Sequence, residues 1–208
     1  MFKGIFFDLD GTLLPLDLAE MMNSYFRALT IKLSPLVEPV SFMEALMAGV
    51  EKMLYNDGRG TNEQVFMEAF FRRLDRDPRQ LLPVFDEFYI NEYRELGRHV
   101  VPRAEARRAL DLAAASGAKV VLATNPVFPR LAVEARLEWA GLAGSPFTAI
   151  TSYENSSFCK PNPGYYLEIL QATGLQGPDC LMVGNDSKED LVAAELGLRT
   201  GVQSNHRR

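Results

Sequence analysis

The sequence is poor in the residues that build metal and disulfide scaffolds. It has two cysteines and two histidines in 208 residues. Cys159 and Cys180 form no CxxC pair, which argues against a zinc site or a disulfide framework. His99 and His206 form no ligand cluster and complete no triad, which argues against a serine or zinc hydrolase. No stretch of about 18 apolar residues occurs, so no membrane span or membrane partner is expected. The first apolar run is broken by Asp8, too early for a signal peptide. Positive charge is not in excess either. Lysine and arginine number 22 against 27 acids, a net charge of −5, and this gives no support to a nucleic-acid partner. Scarce cysteine suits a reducing compartment, so a cytoplasmic location is expected.

What is present is an ordinary globular composition, 47% hydrophobic and 24% charged, which excludes wholesale disorder. The length corresponds to about 1.4 domains at roughly 150 residues each. One compact domain with a sizeable insertion fits.

Residues 2–7 are an apolar run without polar alternation, the pattern of a strand buried on both faces. Similar runs occupy 119–124, 147–151 and 180–184, with a short fifth at 198–202. Helical patterns at 104–116, 129–140, 163–173 and 188–196 lie between them. Gly117, Gly141, Gly174 and Gly197 follow, where a left-handed cap residue is wanted. The alternation predicts an α/β fold with a doubly wound parallel sheet.

Residues 16–98 break the rhythm. Leu18, Met21, Met22, Tyr25, Phe26 and Leu29 recur at helical spacing, and Phe42, Ala45, Leu46, Val50 and Met53 make a second stripe. Residues 56–60 read as a turn. Thr61 and Gln64 have capping-box spacing and open a third helix. A fourth is expected over 81–96, closed by Gly97. Six of the eight methionines fall here and read as adaptable core packing. Arg59 and the Arg72–Arg73 pair are candidates to contact an anionic substrate. Trp139 and the phenylalanines are assigned to the core.

The chemistry-bearing residues follow the strands, where open α/β sheets bind ligands. Asp8 and Asp10 leave the first strand at i and i+2. The second strand ends in Thr124–Asn125, which lets backbone N–H groups and a helix start face an anion. Lys160, fixed by prolines, follows the third. Asp186 and Asp190 follow the fourth, four apart, as if on one helical face. Each alone is also explained by a turn, a cap or a solvated charge. Together, in this order, they point to one site. Two carboxylates about 4 Å apart repel by roughly 4 kcal/mol at an effective dielectric near 20. A divalent cation would cancel that repulsion, and an all-oxygen site suits Mg²⁺.

This set resembles the haloacid dehalogenase superfamily, a Rossmannoid group dominated by magnesium-dependent phosphatases. Asp8 and Asp10 match its first motif, Thr124 its second, Lys160 its third, and Asp186 with Asp190 its fourth. One departure is Asn185, where a glycine often precedes the acid. The resemblance implies a catalytic core over 1–15 and 100–208, with an all-helical cap over 16–99. It implies catalytic Asp8, Asp10, Thr124 and Lys160, with Asp8 as nucleophile forming an aspartyl-phosphate and Asp10 as general acid and base. Thr124, Asn125 and Lys160 would bind a phosphoryl group. Mg²⁺ would be held by Asp8, Asp186 and the carbonyl of Asp10, and Asp190 would support Lys160 or the metal shell. The implied partner is a small phosphorylated metabolite. Family dehalogenases lack an acid at the place of Asp10, which favours phosphoryl transfer. A sugar-phosphate mutase and a non-catalytic binding module on the same fold remain alternatives.

Overall fold

The structure, a computed structural model, describes residues 1–202. His206 and residues 203–208 of the expected core lie outside the described residues. Five strands form one parallel sheet: β1 (Gly4–Phe7), β2 (Lys119–Leu122), β3 (Ala149–Ile150), β4 (Cys180–Gly184) and β5 (Arg199–Val202). Their order is β3-β2-β1-β4-β5, so the first strand lies at the centre. Phe7 stands opposite Leu122 on one side and Val183 on the other. Successive strand side chains point to opposite faces. Phe7 therefore joins a core with Val120 and Leu122, and Phe6 joins a separate one with Val121, Ala123 and Met182. Burial on both sides is why the run lacks polar alternation.

Helices cover both faces. α6 (Ala104–Ala115) and α7 (Arg130–Trp139), numbered after the five helices of the insertion, pack through Ala106, Leu110, Ala132 and Val133 on the Phe7 side. α8 (Pro163–Thr173) brings Tyr165, Tyr166 and Ile169 to the Phe6 side. The α/β, doubly wound expectation holds. The third strand is shorter than its apolar run suggests, with two residues paired instead of five. The 188–196 segment is not an α-helix. A turn leads into a 3-10 helix at Leu191–Leu196, because Asp190 is drawn inward by contacts described below.

Between β1 and β2 stand α1 (Leu18–Leu33), α2 (Pro39–Leu54), α3 (Asn62–Leu74), α4 (Pro78–Ile90) and α5 (Glu92–Glu95). Thr61 and Gln64 make the reciprocal capping box. The expected helix over 81–96 is two helices. It starts earlier, at Pro78 behind the Asp77 cap, and breaks at Asn91, whose ψ of −83° is not helical. Gly97 is needed for closeness rather than as a left-handed cap: a Cβ there would lie 1.9 Å from the Trp139 ring. The insertion shares its core with the sheet. Tyr25, Phe70 and Tyr93 belong to the same buried cluster as Phe7 and Leu122. The start of α3 is tied to the loop after β3, with Asn62 N–H donating to Ser156 O at 2.8 Å and Glu63 N–H to Tyr153 O at 2.8 Å. Asn62 Nδ2 also donates to Pro126 O at 3.1 Å. Among the described residues, no helix is long and apolar enough to cross a membrane.

Candidate active site

Asp8 is the first residue past β1, anchored by its N–H to Val183 O at 2.9 Å. The chain then folds back on itself, with Leu14 N–H donating to Leu9 O at 2.8 Å and Gly11 N–H to Leu14 O at 2.8 Å. Gly11 has φ +85°, and a Cβ there would meet the Asn185 amide at 2.3 Å. Only glycine permits both the conformation and that approach. The fold-back places Thr12 Oγ1 as a donor to Asp8 Oδ2 at 3.0 Å.

Lys160 reaches the same carboxylate from the loop before α8. Its Nζ donates to Asp8 Oδ1 at 2.9 Å and to Asp190 Oδ1 at 2.7 Å, and the Lys160 side chain is fully enclosed. Asp190 Oδ2 accepts the N–H groups of Asn185 and Asp186, both at 3.1 Å. These bonds engage both oxygens of Asp190, which is turned inward to Lys160 rather than sharing a helical face with Asp186. The last residue of β4 must be glycine for this to happen, since a Cβ on Gly184 would lie 1.9 Å from Asp190 Oδ2. Burial pushes the Asp8 carboxyl up from the ordinary value, and the Lys160 ammonium opposes that rise. Burial alone would lower Lys160. The Asp8 carboxylate, the Tyr165 and Tyr166 hydroxyls and then Asp190 outweigh it and hold the ammonium well above its usual value.

Asp10 points elsewhere, to a residue the sequence reading missed. Arg136 of α7 donates through Nη1 to Asp10 Oδ2 at 2.5 Å, with its guanidinium carbon 4.6 Å from the Phe128 ring centroid. Arg136 is fully buried, yet its Nη2 has no hydrogen-bond partner, and neither has Asp10 Oδ1. The signal was present in the sequence: Ala132, Arg136 and Trp139 lie at helical spacing on the inner face of α7, and a cation on an apolar stripe needs a buried acid.

Thr124 and Asn125 line the cavity beside Asp8. Thr124 is held through its carbonyl, which accepts from Thr151 Oγ1 at 2.7 Å and Tyr165 OH at 2.9 Å. Asn125 ties two loops together, its Oδ1 accepting Lys160 N–H at 3.2 Å and its Nδ2 donating to Glu189 Oε1 at 3.3 Å. Glu189, also missed, lines the cavity, and burial raises its carboxyl. Asp186 is at the rim. Its Oδ1 is engaged by the N–H groups of Lys188 at 2.7 Å and Glu189 at 3.1 Å, and it lines the same cavity as Asp8. Asn185, with its amide nitrogen facing the oxygens around it, donates to Asp10 O at 3.1 Å and Asp8 Oδ2 at 3.2 Å.

The donor set fits a hard cation. Acidic side chains outnumber the two buried cations, every candidate donor is oxygen, and the enclosed Oδ1 of Asp10 is orphaned. Oxygen-only donors suit Mg²⁺ over zinc. Among the described residues, no three acidic, histidine or cysteine side chains converge at ligating distance. Two carboxylates and a main-chain carbonyl ask for no such trio.

Above these residues lies a cavity of about 600 Å³, enclosed between the sheet's carboxyl ends and α1–α4. Burial pushes the Tyr25 phenol in its wall up to about 12, so it is neutral at ordinary pH. The expected anion-contacting arginines are not part of it. Arg72 pairs with Glu68, Arg73 pairs with Glu44, and Arg59 is exposed; none lines the cavity.

Among solved structures, the chain is similar to a HAD phosphatase from Thermococcus onnurineus, at 17% identity over 99% of this chain and 88% of that one, with TM-score 0.59. It is similar to a 2-haloacid dehalogenase from Pseudomonas syringae at 20% identity, covering 100% and 91%, with TM-score 0.63. A predicted phosphoglycolate phosphatase from Haemophilus somnus matches at 18% identity, covering 96% and 84%, with TM-score 0.53. At such identities these likenesses speak for the fold alone. No curated protein matches the chain. A family model of haloacid dehalogenase-like hydrolases matches residues 2–197. With that match spanning nearly the whole chain, the protein belongs to the haloacid dehalogenase-like hydrolases.

Proposed function

We propose that the protein is a Mg²⁺-dependent phosphomonoesterase working through an aspartyl-phosphate on Asp8, with residues 16–99 as its cap. The observation that carries the reading is Asp10, a half-buried carboxylate two residues after the nucleophile with one enclosed oxygen unpartnered. Displacing halide from carbon needs no acid for the leaving group. Displacing an alkoxide from phosphorus does.

Asp8 attacks phosphorus, forming a carboxylate O–P bond while the P–O bond to the alcohol breaks. Asp10 gives its proton to the departing oxygen. In the second step Asp10 takes a proton from water, whose oxygen attacks phosphorus and frees Asp8. Asp8, Asp186 and the Asp10 carbonyl would hold Mg²⁺, which when bound offsets the acidic charge and polarises the phosphoryl oxygens. Lys160 orients Asp8 and supplies positive charge beside the phosphoryl group. Thr124 and the Asn125 N–H offer it donors. Arg136 holds one oxygen of Asp10, leaving the other to carry the proton.

Purified protein should hydrolyse p-nitrophenyl phosphate with Mg²⁺ and lose that activity in EDTA. Asp8→Asn should fold normally and lose about three or more orders of magnitude in turnover. Full activity in that variant, or halide release from a 2-haloacid with no phosphatase activity, overturns the reading.

A further inference from the structure

The cavity wall facing Asp8 carries a charge pattern that speaks to the alcohol half of the substrate. Apolar side chains of the insertion dominate that wall, among them Leu46, Val50 and Met53 from α2, Phe66 and Met67 from α3, and Phe85 from α4. Leu46, Met53, Phe66 and Phe85 are buried, while Val50 and Met67 are half-buried at the surface of the space. The lining also includes two carboxylates, Glu63 and Asp86.

Cations are nearly absent. Among the described residues that line the cavity, Arg136 is the one basic side chain, and it belongs to the catalytic end, with its Nη1 engaged by Asp10 and its Nη2 unpartnered. The arginines of the insertion that could have answered a second anion point to solvent. A carboxylate or second phosphate on the leaving group would be desolvated against apolar walls with no counter-charge, and face Glu63 and Asp86 besides. Burying a charge unpaired is costly, and like charge adds to the cost. An apolar group of the same size gains from burial. The volume, about 600 Å³, is that of a site for a whole small molecule rather than a bare phosphate.

Resting on the phosphomonoesterase reading, we infer that the substrate is the phosphate monoester of a bulky, apolar alcohol carrying no second anionic group. The phosphoryl group enters at Asp8, and the alcohol's hydrocarbon body fills the space between α2, α3 and α4. The same wall rejects phosphorylated acids and bisphosphates.

Three esters with similar primary-alcohol leaving groups test this with Mg²⁺ present: 2-phenylethyl phosphate, 2-(4-carboxyphenyl)ethyl phosphate and glycerol 3-phosphate. The expected kcat/KM for the phenylethyl ester exceeds that of each other ester by about tenfold or more. Met67→Arg places a cation on the wall, outside the catalytic groups. It should narrow the gap between the phenylethyl and carboxyphenylethyl esters by raising kcat/KM for the latter. Equal or better turnover of the carboxylate ester by the unaltered protein overturns the inference and leaves the phosphatase reading standing. Turnover of none of the three, or of p-nitrophenyl phosphate, removes that reading and the inference with it.

Discussion

At the scale of single residues, two buried ion pairs meet beneath the cavity, and they respond differently to mutation. Lys160 serves two carboxylates at once, so removing it strands both. Lys160→Met should destabilise the fold by about 3–5 kcal/mol, the usual cost of breaking a buried pair. Adding Asp190→Asn should restore part of the loss, because one stranded charge is then gone. Urea melts of the two single variants and the double check this, and additive losses would show that the contact is not energetically coupled. Arg136 and Asp10 form the second pair, and Arg136→Met should lower both stability and kcat. The acids at Asp8, Asp10, Asp186 and Asp190 were legible because their spacing after each apolar run is a sequence property. Arg136 was not read, because its meaning depends on which face of α7 is turned inward. The inward turn of Asp190 was not read either: two acids four apart suggest a helix face until Lys160 and the β4 carboxyl end compete for one of them.

At the scale of elements, the four long helices of the insertion, α1–α4, start on side-chain caps. Glu38 accepts from Val40 and Ser41 N–H at the start of α2, and Asp77 from Arg79 N–H at the start of α4. Hydrogen bonds from the Val40 N–H hold Glu38 below the usual carboxylate range, as contacts with the Arg79 side chain do for Asp77. A lowered folded-state value means the cap stabilises above the unfolded value. That stability is lost as pH falls through the folded one. The melting temperature should therefore decline on acidification below about pH 4.3. The decline should be shallower in a Glu38→Gln, Asp77→Asn double variant, which retains cap acceptors without the titration; an unchanged slope would remove the caps from the acid response. Helix starts of this kind were readable, as the Thr61–Gln64 box shows. The break at Asn91 was not, since no proline or glycine marks it and the apolar spacing runs on into Tyr93.

At the scale of the whole molecule, insertion and sheet share one hydrophobic cluster. Trp139, the single tryptophan, lies on the seam. It stacks on Tyr93 with ring centroids 5.2 Å apart, and its Nε1 donates to Arg94 O at 3.0 Å. Tryptophan fluorescence and far-ultraviolet circular dichroism should therefore lose their native signals in one coincident denaturant transition. Separate midpoints would mean that the insertion unfolds independently of the sheet.

The central place of β1 also carries a consequence for synthesis. Its two neighbours begin at Lys119 and Cys180, so the strand leading to Asp8 leaves the ribosome long before either flank exists. The α2–α3 pair, close in sequence, can form on the emerging chain, whereas the surroundings of Asp8 wait for β4. Translation thus delivers Asp8 well before the strands that complete its setting.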